Sequence, residues 1–306
     1  MSSALDTFQL QMGQASQLAM SITLFCMMLA VALGLKPRDF SFIKTAPRLF
    51  FAGFIGQALV LPSLTLGLCY ALQPHPGIAL GMLIIACCPG GNVSNILVLL
   101  ARGNAALSVS LTATSSLMAA FVTPTAMLFW TSFYPPTAKI LDQIELDVIT
   151  FLLQTAMVLA LPLVIGMLVR RYYPVFAERA RKPLVLLAST ALLSIIVITT
   201  LKASDLLVTV GGAIVGVVAL HNALAYISGY VIGWVVKADI ASRRALTFEV
   251  GIQNSGLGIV IIMSQLGGIG ASAAVAGLWG LWHILAGVSL LLLFRMGDRM
   301  APKLSN

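Results

Sequence analysis

The amino-acid sequence predicts an all-α, polytopic membrane protein, and three observations lead to this fold class. Hydrophobic residues make up 59% of the 306-residue chain and charged residues only 9%, whereas soluble domains carry about 25% charged residues. The mean hydropathy is +1.00, and apolar runs of the roughly 20 residues that cross a bilayer recur along the chain. The basic residues lie in the short segments between these runs.

Nine apolar segments are expected to form transmembrane helices. Each is bounded by charged residues or by clusters of Pro, Gly and Asn, and no segment between them is long enough for a soluble domain. In chain order they cover residues 18–35, 48–72, 77–101, 105–131, 147–169, 183–201, 207–236, 244–266 and 271–294.

Loop charges test this number of helices independently, because Lys and Arg collect on the cytoplasmic side of a membrane. With the N-terminus outside and the C-terminus inside, every Lys and Arg except Lys139 and Lys202 falls on the cytoplasmic side, and the external loop 132–146 is net acidic. We therefore expect a multi-pass protein of the cell (plasma or inner) membrane. Its polar N-terminal segment lacks the basic start of a cleaved signal.

The third and eighth segments are each interrupted near the middle by polar residues and glycines. Residues 88–95 read CPGGNVSN and residues 249–256 read EVGIQNSG. Proline removes a backbone donor and glycine weakens a helix, and backbone freed in this way is tolerated at membrane depth only inside protein or beside water. Paired broken helices indicate an inverted-repeat transporter with a binding site at the midplane.

The two halves of the chain are unequal. The last four segments match the first four in order, which leaves 147–169 without a counterpart, so we infer a five-plus-five repeat whose first helix is missing. The N-terminal ends of half-helices favour an anion and unwound carbonyls favour a cation, so the site is expected to take both.

Glu249 is the acid at membrane depth, since the other nine acids lie in loops or at segment ends. Such a residue costs about 2.5–3.5 kcal/mol on insertion scales, and beside an unwound stretch we interpret it as a ligand of sodium or a proton site. The alternative is a structural carboxylate bonded to a nearby Ser or Asn. Ser108 and Thr112 share one helix face, but they, like Gln57, could equally serve packing and bond their own helix.

Several other classes of function are disfavoured. The net charge of +8 does not indicate nucleic-acid binding, because the basic residues lie in loops between spans. The four cysteines lack metal-ligand spacing and are interpreted as packing residues. His221 and His283 are more readily structural than ligating, and no motif of a membrane hydrolase or metalloenzyme occurs, so we do not expect an enzyme.

Over almost its whole length the chain resembles the bile acid:sodium symporter family. The resemblance rests on CCPGGNVSN at 87–95, ARGN at 101–104, LSVS at 107–110, EVGIQNSGL at 249–257 and WH at 282–283. It implies a panel domain (18–35 plus 147–201) and a core domain (48–131 plus 207–294), with the broken helices near 88–95 and 249–256 crossing in the core.

The resemblance also implies two sodium sites that share Glu249. One would use Ser94, Asn95, Ser108, Thr112 and Glu249. The other would use Gln57, Glu249 and Gln253, with the backbone carbonyls of Val250 and Ile252. The organic anion is expected at the half-helix N-termini, with Asn92, Asn254, Ser255 and His283 as its binding residues.

The expected function is therefore import of an organic anion, bile-acid-like or a small carboxylate, driven by two sodium ions. Two departures from the family bear on the substrate: there are nine predicted helices, where bacterial members that bind bile acids have ten, and Ile284 and Ala286 stand where Asn and Ser are frequent. The alternatives are a sodium- or proton-coupled carrier for a keto acid or pantoate-like acid, and an uncoupled channel or receptor.

Overall fold

The computed structural model describes residues 14–202 and 204–300. The expected external N-terminal end and the cytoplasmic Lys303 lie outside the described residues. The α-helices are α1 Gln14–Ala32, α2 Phe42–Thr45, α3 Pro47–Ile55, α4 Leu61–Leu72, α5 Pro76–Ala86, α6 Val93–Leu100, α7 Ala105–Ser132, α8 Pro135–Gln143, α9 Val148–Tyr172, α10 Pro174–Lys202, α11 Ser204–Val235, α12 Ile240–Gly251, α13 Ser255–Gln265 and α14 Gly270–Met300.

Two shorter elements complete the list. A 3-10 helix, Pro37–Phe40, follows α1, and a π-helical turn, Gly56–Val60, joins α3 to α4. No strand occurs in the described part of the chain, where the β-type pairing is a single bridge. The all-α prediction is confirmed for these residues.

Helices occupy the positions of all nine predicted segments. Five of them are long and apolar enough to cross a membrane, or six if α1 and the helices after it, which meet at 85°, count as one bent span. The third and eighth segments are broken into halves of 8 to 12 residues, which are too short to cross alone. The number of nine spans therefore stays a prediction.

The segment 132–146, which we expected to be a loop, contains α8. Pro135 and Pro136 begin this helix, where a missing N–H costs nothing, and the Thr137 hydroxyl donates to the carbonyls of Thr131 and Tyr134. Hydropathy could not find α8, because the helix is amphipathic and lies outside the apolar runs.

Helices α5 and α13, one half of each broken segment, belong to the main hydrophobic core of the protein. All residues of α5 from Gly77 to Ala86 and of α13 from Ser255 to Met263 are buried, as a helix that is apolar on every face must be. The fully buried Trp279 of α14 packs in the same cluster. These helices can therefore hold the breaks that follow or precede them in fixed positions.

The outer surface carries many large apolar side chains. On α9, for example, Ile149, Leu153 and Met157 are 60–70% exposed. A soluble monomer rarely exposes contiguous apolar patches of this kind, whereas a lipid-facing helix must. The exposed surface therefore agrees with a multi-pass membrane protein.

Candidate functional site

The two broken segments cross and are joined by main-chain hydrogen bonds. Gly91 N donates to the Ile252 carbonyl at 3.0 Å and Asn254 N donates to the Pro89 carbonyl at 2.8 Å, so that Gly90 and Gln253 form an antiparallel bridge. Each break thus satisfies part of the backbone that the other leaves unpaired. The crossing is stable at membrane depth because its polar groups face one another.

Glu249 lies in the last turn of α12, beside the crossing, and its side chain is fully buried. Three hydroxyls donate to its carboxylate. Ser94, in the first turn of α6, donates to Oε1. From α7, Ser108 donates to Oε1 at 2.5 Å, and Thr112 lies 3.1 Å from Oε1 and 2.9 Å from Oε2. Ser108 and Thr112 meet the carboxylate together because residues four apart share a helix face.

Gln57 reaches the same carboxylate from the π-helical turn. Pro62 of α4 follows this π-helical turn and has no N–H to donate to a carbonyl within it. Single π-helical turns of this kind occur frequently at functional sites. Gln57 Nε2 donates to the main-chain carbonyl of Glu249 at 2.8 Å and lies 3.4 Å from Oε2. A Cβ at Gly90 would fall 2.8 Å from this Nε2, so only glycine allows the break to approach so closely.

The remaining predicted sodium ligands are linked to the groups that contact Glu249 or lie next to it in the chain. Asn95 Oδ1 lies 2.8 Å from the Ser108 hydroxyl, and Gln253 Nε2 donates to the Val250 carbonyl at 2.9 Å. The carbonyls of Val250 and Ile252 each accept one hydrogen bond, which leaves each of them a second lone pair. The structure therefore brings all nine predicted residues together.

The polar groups of this cluster fit a cation. Among the described residues no basic side chain forms a salt bridge with Glu249, and the amide oxygens Gln57 Oε1 and Gln253 Oε1 are buried without a donor. Buried oxygens without partners are rare in proteins. Carboxylate, amide, hydroxyl and carbonyl oxygens are the ligands of hard cations, and a hydroxyl that donates to Glu249 can turn its lone pairs to an ion.

The residues predicted to bind the anion lie partly at the crossing. Asn92 is the N-cap of α6, with its side chain exposed and making no capping bond. Asn254 is the N-cap of α13, and its Oδ1 accepts from Leu257 N at 3.1 Å. Both stand within two residues of the bridge between Gly90 and Gln253. The buried Ser255 follows at the start of α13.

His283 has a different environment. It is buried in α14, and its Nδ1 lies 2.6 Å from the Trp279 carbonyl of the same helix. A carbonyl only accepts, so Nδ1 carries the proton and Nε2 of a neutral ring is an acceptor, which suits an anion poorly. His221 bonds Thr65 Oγ1 at 2.6 Å and packs against Trp279, in agreement with its structural interpretation.

Two polar residues at the crossing were missed in the sequence. Ser115 accepts a hydrogen bond from Gly90 N at 3.3 Å, and the buried Asn222 of α11 donates to the Gly251 carbonyl at 2.9 Å. An amide in the apolar segment 207–236 signals that Asn222 has a buried partner, although the sequence does not say which residue that partner is. Ser115 could not be distinguished from its neighbours in a hydroxyl-rich helix.

Comparisons with known proteins lead to the same family as the sequence motifs at the two breaks. Residues 21–210 match the model of the Sodium Bile acid symporter family. The sodium-dependent transporter YocS of Bacillus subtilis (strain 168) is 31% identical over 272 residues, which are 88% of this chain and 81% of that protein. The probable chloroplastic sodium/metabolite cotransporter BASS1 of Arabidopsis thaliana is 31% identical over 90% of this chain and 66% of its own length.

More distant relatives come from animals. The sodium/bile acid cotransporter 4 of Homo sapiens is 29% identical over 197 residues, which are 64% of this chain and 44% of that protein. The chain therefore spans most of the bacterial relative and about two thirds or less of the plant and animal proteins. These relatives carry the names of transporters and cotransporters, a class of proteins distinct from enzymes.

Proposed function

Because the chain belongs to the sodium bile acid symporter family, we propose that it is a sodium-coupled symporter that imports an organic anion by alternating access. The observation that carries this proposal is the cluster around Glu249. A buried carboxylate without a basic partner among the described residues accepts from three hydroxyls and has the Gln57 amide 3.4 Å away, and two amide oxygens have no donor among these residues. A small cation entering this cluster would offset the charge and supply the missing partners.

Two sodium ions would share this carboxylate. The first would be held by Ser94, Asn95, Ser108, Thr112 and Glu249, and the second by Gln57, Glu249 and Gln253 with the carbonyls of Val250 and Ile252. The hydrogen bonds of these groups to Glu249 or to one another support both sets. Sodium is here a substrate that crosses the membrane rather than a resident cofactor.

The anion would bind where the two half-helices begin. Two monovalent cations beside one carboxylate leave a net positive charge, which an anion at Asn92, Asn254 and Ser255 would neutralise. This order makes sodium promote substrate binding, and linkage requires the reverse as well. Among these residues Asn92 and Asn254 have the strongest support, because they occupy the N-cap positions of the two half-helices beside the bridge. His283 is not retained in this set, because Nε2 of its neutral ring is a hydrogen-bond acceptor.

A small carboxylate is favoured over a bile acid as the substrate. Ile284 and Ala286, which follow His283 on α14, stand where the family frequently has Asn and Ser, so two polar groups expected near a bile acid are missing. The proposed anion site also begins at a crossing closed by main-chain bonds. A keto acid or a pantoate-like acid therefore fits better, while a carrier coupled to protons and an uncoupled channel are the alternatives.

The proposal includes an architecture and an orientation. The chain would form nine spans, divided into a panel (18–35 plus 147–201) and a core (48–131 plus 207–294) that move against one another in the cell membrane. The N-terminus would lie outside and the C-terminus in the cytoplasm. The packing of α1 against α9 and α10 supports the panel, and the crossing of α5–α6 with α12–α13 supports the core.

The experiment that tests this function is uptake into proteoliposomes with a defined gradient. The probes are pantoate, pyruvate and taurocholate, each with an inward gradient of sodium, of potassium, or of protons. The proposal expects uptake of at least one carboxylate that sodium drives and potassium does not. Uptake that equals the potassium control for every probe, or that only a proton gradient drives, would contradict sodium coupling.

A further inference from the structure

Asn222 of α11 lies against the end of α12, where the helix unwinds. Its side chain is fully buried, and its Nδ2 donates to the Gly251 carbonyl at 2.9 Å. Gly251 is the last residue of α12, and the next residue, Ile252, is extended with φ −120° and ψ 106°. The last carbonyls of a helix have no partner within it, so Asn222 satisfies one of them at the point where the direction of the chain changes.

Asn222 completes a set of three side-chain amides along this helix end. Each of the last three residues of α12 has its carbonyl bound by one amide: Glu249 by Gln57, Val250 by Gln253 and Gly251 by Asn222. In all three amides the oxygen is buried and has no donor among the described residues. Turning any amide over would set its oxygen against a carbonyl oxygen, so the three bonds fix all three orientations.

Tyr226, one turn after Asn222, holds α11 in place against the same residue. Its ring packs on Gly251 so closely that a Cβ there would lie 2.1 Å from a ring carbon. Its hydroxyl donates to the His283 carbonyl of α14 at 2.7 Å. The Asn222 side chain is therefore presented to the unwound backbone by a helix that is itself anchored on both neighbours.

Building on the proposed function, we propose that Asn222 is a positioning residue of the sodium site that contains Gln57 and Gln253. By holding the Gly251 carbonyl, it fixes the peptides on either side, so that the carbonyls of Val250 and Ile252 keep the directions that a cation requires. Gln57 and Gln253 hold the two preceding carbonyls in the same manner. Without Asn222 the Gly251 peptide can rotate, because glycine has few conformational restrictions.

The test compares Asn222→Ala with Ser228→Ala in the purified full-length protein. Ser228 is buried in the same helix, and its hydroxyl donates to the Ala225 carbonyl within that helix. The readout is the sodium concentration that gives half of the maximal thermal stabilisation, with choline replacing sodium at constant ionic strength. Asn222→Ala should raise this concentration by about tenfold, the factor that corresponds to about 1.4 kcal/mol. Ser228→Ala should leave it within about twofold.

A double-mutant cycle separates positioning from a general loss of stability. If Asn222 acts through this site, combining Asn222→Ala with Gln253→Ala should weaken sodium binding no more than Gln253→Ala alone, because residues of one network are not additive. Additive losses would contradict the proposal. If Asn222→Ala does not fold, Asn222→Ser is measured instead. A hydroxyl can reach Gly251 through a water, so a smaller increase is expected, and an unchanged concentration would contradict the proposal.

The outcomes also distinguish this inference from the proposed function. Wild-type protein that sodium stabilises no more than choline would contradict sodium coupling itself, before any variant is compared. Wild-type protein with a clear sodium effect, together with an Asn222→Ala variant that titrates like Ser228→Ala, would contradict only the role of Asn222.

Discussion

The side-chain amide of Gln57 donates to the main-chain carbonyl of Glu249 at 2.8 Å, across 192 positions of sequence. The same bond leaves Gln57 Oε1 buried with no donor in the described part of the chain and brings Nε2 to 3.4 Å from the Glu249 carboxylate. The π-helical turn of one segment and the helix end of another thus meet at one acid. In the proposed function this contact separates the second sodium site from the first.

Replacing Gln57 by Leu should remove the second sodium site and leave the first. The Hill coefficient for sodium in uptake should then fall from about 2 to about 1, since it cannot exceed the number of sites. Ser63→Ala is the control, because Ser63 lies in the same span and its hydroxyl donates to the Leu59 carbonyl of its own helix. A coefficient of about 2 in Gln57→Leu would refute the assignment.

Ser108 and Ser110 offer a second matched pair on α7. Both are fully buried, but Ser108 donates to Glu249 and Ser110 Oγ has no partner among the described residues. Ser108→Ala should raise the sodium concentration for half-maximal stabilisation by about tenfold, because a hydrogen bond or ion contact to a charged group contributes about 1.5–3 kcal/mol. Ser110→Ala should change it by less than about threefold. Equal effects would count against Ser108 as a sodium ligand.

Much of the fold followed from the sequence because lipid imposes simple rules. Length and hydropathy located α7, α9 and α14, and the clusters of Pro, Gly and Asn located both breaks. The π-helical turn at Gly56–Val60 was not predicted, because Pro62 removes one backbone donor but does not by itself determine that the preceding turn widens. Helix α8 was not predicted because it is amphipathic, and a search for apolar segments finds only helices that are apolar along their length.

Some residues of the candidate site could be predicted from the sequence and others could not. Glu249 stood out because an acid at membrane depth is costly. The helix spacing of Ser108 and Thr112 left a ligand role and a packing role equally open, and the family resemblance then favoured the ligand role. Asn222 was missed because its role depends on the packing of α11 against the unwound end of α12. Pairings between helices of this kind have no sequence spacing from which they could be read.

Asn254→Asp should separate anion binding from sodium binding. Its carboxylate can still accept from Leu257 N and cap α13, as Asn254 does at 3.1 Å, so the helix is retained. The added negative charge should repel the substrate's carboxylate. We expect substrate affinity to fall at least about tenfold, with sodium-dependent stabilisation in the absence of substrate kept within about threefold. Equal loss of both would move Asn254 into the cation site.

The orientation of the chain can be tested with cysteine labelling. In a background without Cys26, Cys69, Cys87 and Cys88, single cysteines at Tyr173 and Gln143 are suitable because both side chains are exposed. Thr137 is unsuitable, because it is fully buried. A membrane-impermeant maleimide should label Gln143→Cys in intact cells and Tyr173→Cys only after the membrane is opened. Labelling of both from outside would refute the proposed topology.

Glu249 carries the central claim, and sodium binding to its neutral variant tests that claim most directly. Glu249→Gln keeps the shape and the hydrogen-bond acceptor for Ser108 but removes the charge, whereas Glu178→Gln removes the charge of an exposed acid paired with Arg170. Radioactive sodium binding to the purified proteins is measured by scintillation proximity, with folding checked by size-exclusion chromatography. We expect saturable binding to wild type and to Glu178→Gln, and none to folded Glu249→Gln. Saturable binding to Glu249→Gln with wild-type affinity would show that Glu249 is not the shared sodium ligand.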